Sequence, residues 1–180
     1  MKSVLISIQP RWCELIANGT KTIEVRKTRP KIAIPFVCYI YCTKAKYPHE
    51  DFITVNEGTE NAFAFYGGGK VIGEFICDKI NEYPYTERGY KRHFSDRVLS
   101  CVTEKEINKY GKGETLYGWH ISELVIYDEP KEATEFYRLC PLPNTDTCYG
   151  CKYLNNRGKY YECVRQISKA PQSWCYVEEM

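Results

Sequence analysis

The segment Gly19-Thr20-Lys21-Thr22-Ile23-Glu24-Val25-Arg26 holds the densest set of chemically able side chains in the sequence. Glycine permits a turn that lets backbone approach a ligand closely. Beyond it, Thr22, Glu24 and Arg26 alternate with Ile23 and Val25, as on one face of a strand, with Lys21 at its entrance. Lys and Arg meet phosphate, and Glu accepts from an amino group such as that of cytosine. Together they can hold a planar polar ligand. The competing reading is an exposed strand with cross-strand ion pairs, because charge on a strand is commonly a solvated face. If Lys21 and Glu24 serve a ligand from such a face, their replacement removes binding and leaves the fold intact, since an exposed pair contributes only about 0–1 kcal/mol.

A second constellation is C-x7-C-x2-C-x11-C at Cys140, Cys148, Cys151 and Cys163. Four thiolates satisfy tetrahedral zinc, and the C-x2-C pair makes a tight knuckle. No histidine lies between Cys140 and Cys163, so a closed, structural all-cysteine site is expected, with free or redox-active thiols as the alternative. Lys152, Arg157 and Lys159 share this stretch with Tyr149, Tyr153, Tyr160 and Tyr161. Cations interleaved with aromatics suit phosphate contact and base stacking, or the tyrosines simply pack the zinc module. The other six of the ten cysteines are scattered and read as buried small hydrophobes.

Trp12, Trp119 and Trp174 can each stack a base, although core packing is the commoner fate of such side chains. His49, His93 and His120 are too dispersed to form a catalytic or metal set. No nucleophile elbow, P-loop or dinucleotide fingerprint is present.

The elements that must position these residues are mostly strands. Val4, Ile6 and Ile8 alternate with polar neighbours as a first strand. Pro10 suits the first position of a short helix carrying Trp12, Leu15 and Ile16, which Asn18-Gly19 stops. Strands follow over 22–27, 36–43, 71–80 and 121–127, and 171–177 can close the sheet. The stretches 44–70 and 82–118 read as long irregular segments, the second with a helix over 103–110. Long loops in compact domains are commonly functional or mobile.

Length and composition set outer limits. The chain of 180 residues, 43% hydrophobic and 27% charged, fits one soluble globular domain with at most a small satellite. Net charge of +2 excludes a histone-like polycation, yet it hides two basic stretches. Residues 19–31 and 152–169 each carry five basic residues against one acidic, so the remainder is acidic. The N-terminus lacks the apolar run of a signal peptide, and no apolar stretch approaches the roughly 20 residues that span a bilayer. A cytoplasmic protein is expected.

The run Ser7-Ile8-Gln9-Pro10, then Ile16 to Arg26, resembles the signature of the ASCH domain family of the PUA-like superfamily. Its G-x-K-x-x-E-x-R spacing is met at Gly19, Lys21, Glu24 and Arg26. Gly73-Glu74-Phe75, Trp119-His120-Ile121 and the end Pro171 to Val177 also fit, the last resembling bacterial and phage versions. The resemblance implies a mixed α+β fold: a small PUA-like β-barrel with short flanking helices, here over residues 1–139 and 164–180. The four-cysteine zinc element at 140–163 would be inserted before the last strand. It also implies a cleft that binds RNA, other nucleic acid or a modified nucleotide, beside Lys21, Glu24 and Arg26. Lys27, Arg29, Arg157 and Lys159 would meet phosphate. The alternative it implies is an enzyme: an amidohydrolase on acylated cytidine, or a ribonuclease. There Lys21, Glu24 and Glu74 would be catalytic, although Glu24 stands where the amidohydrolase type has a Thr. A third possibility is a protein-interaction module of viral origin.

Overall fold

The six positions of β1 (Ser3–Ile8) are all buried, which alternation alone would not give. The reason is its place at the middle of a seven-stranded sheet covered on both faces. The computed structural model describes residues 2–139 and 164–179. In it β1 is followed by α1 (Pro10–Ala17), β2 (Ile23–Arg26) and β3 (Phe36–Cys42). Next come β4 (Phe52–Val55), β5 (Phe63–Tyr66), β6 (Lys70–Cys77) and β7 (Ile80–Tyr83). A small pair, β8 (Tyr85–Thr86) and β9 (Gly89–Tyr90), precedes α2 (Phe94–Leu99) and α3 (Glu104–Gly111). The chain continues with β10 (Leu116–His120), β11 (Ser122–Glu132), β12 (Phe136–Leu139), β13 (Val164–Gln166) and β14 (Trp174–Glu179).

The large sheet has the order β11-β6-β3-β1-β14-β12-β13. β1 runs parallel to β3 and antiparallel to β14. One face buries Val4, Ile6, Ile8, Cys38, Ile40, Ile72 and Phe75 together with Ile16 of α1 and Trp119 of β10. The other face buries Leu5, Tyr39, Val71, Phe136 and Val177. Fully burying one such side chain contributes roughly 1.5–3 kcal/mol, so this two-sided core dominates the fold's stability.

A three-stranded sheet, β2-β10-β7, supplies the second layer. Two long antiparallel ribbons turn from one sheet into the other, β6 into β7 at Asp78-Lys79 and β11 out of β10 at Ile121. His120 N–H donates to the Lys79 carbonyl at this corner (2.9 Å), and Ile121 N–H donates to the Thr22 carbonyl (2.9 Å). The mixed α+β class is thus as expected, but the described strands do not close into a barrel. Around β2 the gap toward β1 is bridged by a side chain instead of a ladder, the Arg26 guanidinium donating to the Ser7 carbonyl (2.6 Å).

Beyond the expected helix over 103–110, the stretches expected to be irregular hold several small elements. β4 and β5 form a hairpin that packs on α1, where Asn18 donates to the Thr54 carbonyl and Glu14 accepts from Thr54 N–H. Within 82–118 lie β8, β9, α2, α3 and most of the strand that pairs with β2. Among the described residues no helix is long and apolar enough to cross a membrane.

Candidate functional site

α1 ends where the sequence has its stop signal, with Asn18 as cap and Gly19 at φ +69°. That left-handed step sends the chain into β2 and sets Glu24 and Arg26 on its inner face. Register fixes their company, because Trp119 stands opposite Glu24 and Tyr117 opposite Arg26. All four side chains therefore share the face that looks into the main core.

This face is not solvated. Lys21 is 1% exposed, Glu24 6% and Arg26 8%. Glu24 holds both cations: its Oε2 lies 3.2 Å from Lys21 Nζ and its Oε1 lies 3.0 Å from an Arg26 terminal nitrogen. Lys21 Nζ also donates to the carbonyls of Ile23 (2.8 Å) and Ser100 (2.6 Å). The Trp12 ring lies 5.0 Å from the same ammonium and carries the Arg11 guanidinium at 3.9 Å. An amine surrounded by three acceptors is placed as a donor, not as an attacking group.

The segment after α2 seals this cluster. Thr22 N–H donates to the Leu99 carbonyl (2.9 Å), and the Cys101 thiol lies 3.5 Å from the Thr20 carbonyl. Ser100 joins a further buried cation, since Arg92 donates to its hydroxyl (3.2 Å) and pairs with Glu104 (2.9 Å). The buried Asp96 belongs to the outer face of the small sheet, where it accepts from Tyr83 and Asn81 (2.9 Å each). Its acceptance, after burial itself, pushes the Tyr83 phenol up.

Toward solvent the cluster is rimmed by aromatics and cations. Trp174 packs on Trp119 (ring centroids 5.8 Å) and Tyr176 on Trp174 (5.3 Å). The loop after β2 is tied to these rings. Trp174 Nε1 donates to the Thr28 hydroxyl (2.9 Å), and Lys31 N–H donates to the Tyr176 hydroxyl (2.6 Å). Arg29 lies 5.7 Å over the Tyr117 ring and Lys27 5.6 Å over Tyr110.

Neither a family model nor a curated protein matches the chain. Solved structures do. The crystal structure of ASCH from Zymomonas mobilis aligns with a TM-score of 0.50 at 17% identity, covering 72% of this chain and 73% of that one. A tyrosine-to-phenylalanine variant of the same Zymomonas mobilis protein gives 0.50 at 18% identity, over 73% and 76%. The chain has the ASCH fold.

Within this ASCH fold the sequence-predicted residues divide into groups. Lys21, Glu24 and Arg26 come together as the buried cluster, and Lys27 and Arg29 stand on its rim. Glu74 is not brought to them. It pairs in register with Tyr39 and accepts from the Tyr127 hydroxyl (2.6 Å), on the face of the large sheet opposite the cluster. Strand alternation sends Phe75, not Glu74, toward β2. Cys140, Cys148, Cys151, Cys163, Arg157 and Lys159 lie outside the described residues. Among the described residues no group of His, Cys, Asp and Glu is arranged to hold a metal.

The expectation that Lys21 and Glu24 can be replaced without harm to the fold is corrected by their burial. Sequence reading also missed Ser7, Arg92 and Ser100 as partners of the cluster. Ser7 and Ser100 meet the cluster through their carbonyls, across 19 and 79 residues, and Arg92 reaches it only through the Ser100 hydroxyl, so no local spacing announces them.

Proposed function

We propose that this ASCH-fold protein binds nucleic acid or a modified nucleotide at the rim of the Lys21–Glu24–Arg26 cluster. The observation that carries this reading is the rim itself, where Arg29 lies over the half-buried Tyr117, the Lys31 backbone meets the half-buried Tyr176 beside Trp174, and Lys27 lies over Tyr110. Rings with one open side suit a stacked base, and the cations around them suit its phosphates. Beneath the rim, Glu24 and Arg26 offer an acceptor and donors to whatever reaches past the rings. The name of the Zymomonas mobilis structures supports the fold, and the side chains support the ligand class.

The zinc element at 140–163 is part of the proposal. Its Arg157 and Lys159 would add phosphate contacts from a second basic stretch. Enzymatic action has less support: the amine of Lys21 donates to two carbonyls and pairs with Glu24, and Glu74 faces the other side of the sheet.

Salt dependence tests the reading. Neutralised phosphates release counterions, so affinity for a short single-stranded RNA should fall steeply between low and moderate salt. Removing Arg29 together with Lys31 should flatten that slope, and so should removing Arg157 with Lys159. No binding of RNA or DNA oligomers at low salt, or an affinity indifferent to salt, overturns the proposal.

A further inference from the structure

Charge at the cluster does not balance. Two buried cations, Lys21 and Arg26, share one buried carboxylate, Glu24. The titratable neighbours do not supply the missing negative charge. Burial pushes the Cys13 and Cys38 thiols up, and burial likewise pushes up the Tyr110 phenol, so all three stay neutral near pH 7. Glu114 pairs with Lys27 at 3.6 Å, Glu104 with Arg92 at 2.9 Å, and Asp96 sits on the other side of the small sheet with Tyr83 and Asn81. An uncompensated charge away from water costs several kcal/mol, so its retention calls for a partner.

Unmet hydrogen-bonding capacity lies in the same place. Trp119 Nε1 and Arg26 Nε are buried donors without an acceptor among the described residues. Trp119 is fully buried and Arg26 is 8% exposed. They sit diagonally across the β2–β10 ladder on one face, within the reach of long side chains. Buried polar atoms are nearly always satisfied, and each exception asks for an explanation. Glu24 Oε2 also lacks an aligned donor, although Lys21 lies 3.2 Å away.

We propose that Arg26 Nε and Trp119 Nε1 form an anion subsite that takes one phosphate oxygen of the ligand, with the surplus charge of Lys21 and Arg26 as its counter-charge. This deepens the nucleotide-binding reading and rests on it for the source of the phosphate. The half-buried Trp174, packed edge-on against Trp119 and held by Thr28, is the side chain that would have to turn aside to admit the group. A terminal phosphate of a mononucleotide and an internucleotide phosphate of a strand carry the same chemistry.

The test measures binding of purified protein to five probes by calorimetry, with thermal melting as a second readout. They are inorganic phosphate, a set of nucleoside 5′-monophosphates, the matching nucleosides, a dinucleoside monophosphate and a single-stranded RNA oligomer. The phosphorylated probes should bind and raise the melting temperature, and the nucleosides should not. Preference for the dinucleoside monophosphate marks a strand as the source, and preference for the 5′-monophosphates marks a free nucleotide. Trp119→Phe keeps a ring and loses the donor, and should weaken phosphate-bearing probes about tenfold or more, as expected for a hydrogen bond to a charged group. Should that variant fail to fold, Arg26→Lys, which keeps the charge and loses Nε, is read in the same way. Nucleosides binding as tightly as their monophosphates, or either folded variant binding phosphate as the wild type does, overturns the subsite. RNA binding that survives both variants overturns the subsite and leaves the nucleic-acid reading standing. Phosphate binding that depends on Trp119, without binding of any nucleotide or RNA, supports the subsite and overturns that reading.

Discussion

Lys21 and Glu24 differ in what each leaves behind when removed, and the difference is measurable. Lys21→Met keeps the volume, leaves Glu24 paired with Arg26, and strands the carbonyls of Ile23 and Ser100. A cost on the order of 3 kcal/mol is expected from the lost charged hydrogen bonds. Glu24→Gln leaves two buried cations without a carboxylate and should cost more, roughly 3–5 kcal/mol. Urea unfolding of the two variants checks the order, and negligible losses in both would mean that the cluster is solvated after all. The types and spacing of these residues were legible in the sequence, and so was their placement on one strand face. Their burial was not, because it depends on Trp119 across the ladder and on Ser100 far along the chain. A strand with Thr, Glu and Arg on one side looks solvated until its partners are known.

At the scale of elements, α3 shows how a local signal becomes a tertiary tie. Thr103 caps the helix by accepting from Glu106 N–H (3.2 Å), and Glu106 accepts from Thr103 N–H (3.0 Å). The same carboxylate accepts from Arg11 of α1 (2.6 Å). Thr103 N–H first, then Arg11, hold the Glu106 carboxyl down from the usual 4.5 to about 2. A depressed acid stabilises the fold above its unfolded value, and that contribution drains away as pH falls from about 4.5 to about 2. The Glu106 side chain is 36% exposed and that of Arg11 58%, so solvent screening keeps the effect modest. Glu106→Gln, which keeps the cap and loses the charge, should flatten the acid limb of melting temperature against pH over that window. An unchanged limb would show that the carboxylate contributes nothing there. The helix was readable, as were β1, α1, β2, β3 and most of β6. β10 was not. Its run Leu116-Tyr117-Gly118-Trp119-His120 carries a glycine that reads as a breaker, yet a Cβ at Gly118 would collide with the Tyr83 hydroxyl. That glycine admits a neighbouring ring instead of ending a strand. The β4–β5 hairpin escaped for another reason, since its connection is longer than the two-residue turns that announce a hairpin.

Across the whole molecule, the end of the large sheet bears on the four cysteines. β12 and β13 are antiparallel, with Leu139 opposite Val164. Cys140 follows the first and Cys163 precedes the second in the chain, so the two outer cysteines adjoin a paired register position. A segment whose flanking residues are already paired in a ladder has less closure entropy left to lose when its thiolates gather on a metal. Purified, reduced protein should therefore carry one zinc per chain by elemental analysis. Cys148→Ser and Cys151→Ser should each lose it, because three thiolates bind a structural zinc far less well than four. Metal loss should spare the two-sided core around β1, which is built from Val4, Leu5, Ile6, Ile40 and Val177, so most far-ultraviolet circular dichroism should persist. Resistance to protease should fall between 140 and 163 alone. Its fall would also place Arg157 and Lys159 in a segment that needs metal for order, so RNA affinity should drop with chelation while phosphate binding at Trp119 stays. Metal-free protein with the four thiols intact and protease resistance unchanged would overturn the zinc element and leave those cysteines to redox chemistry.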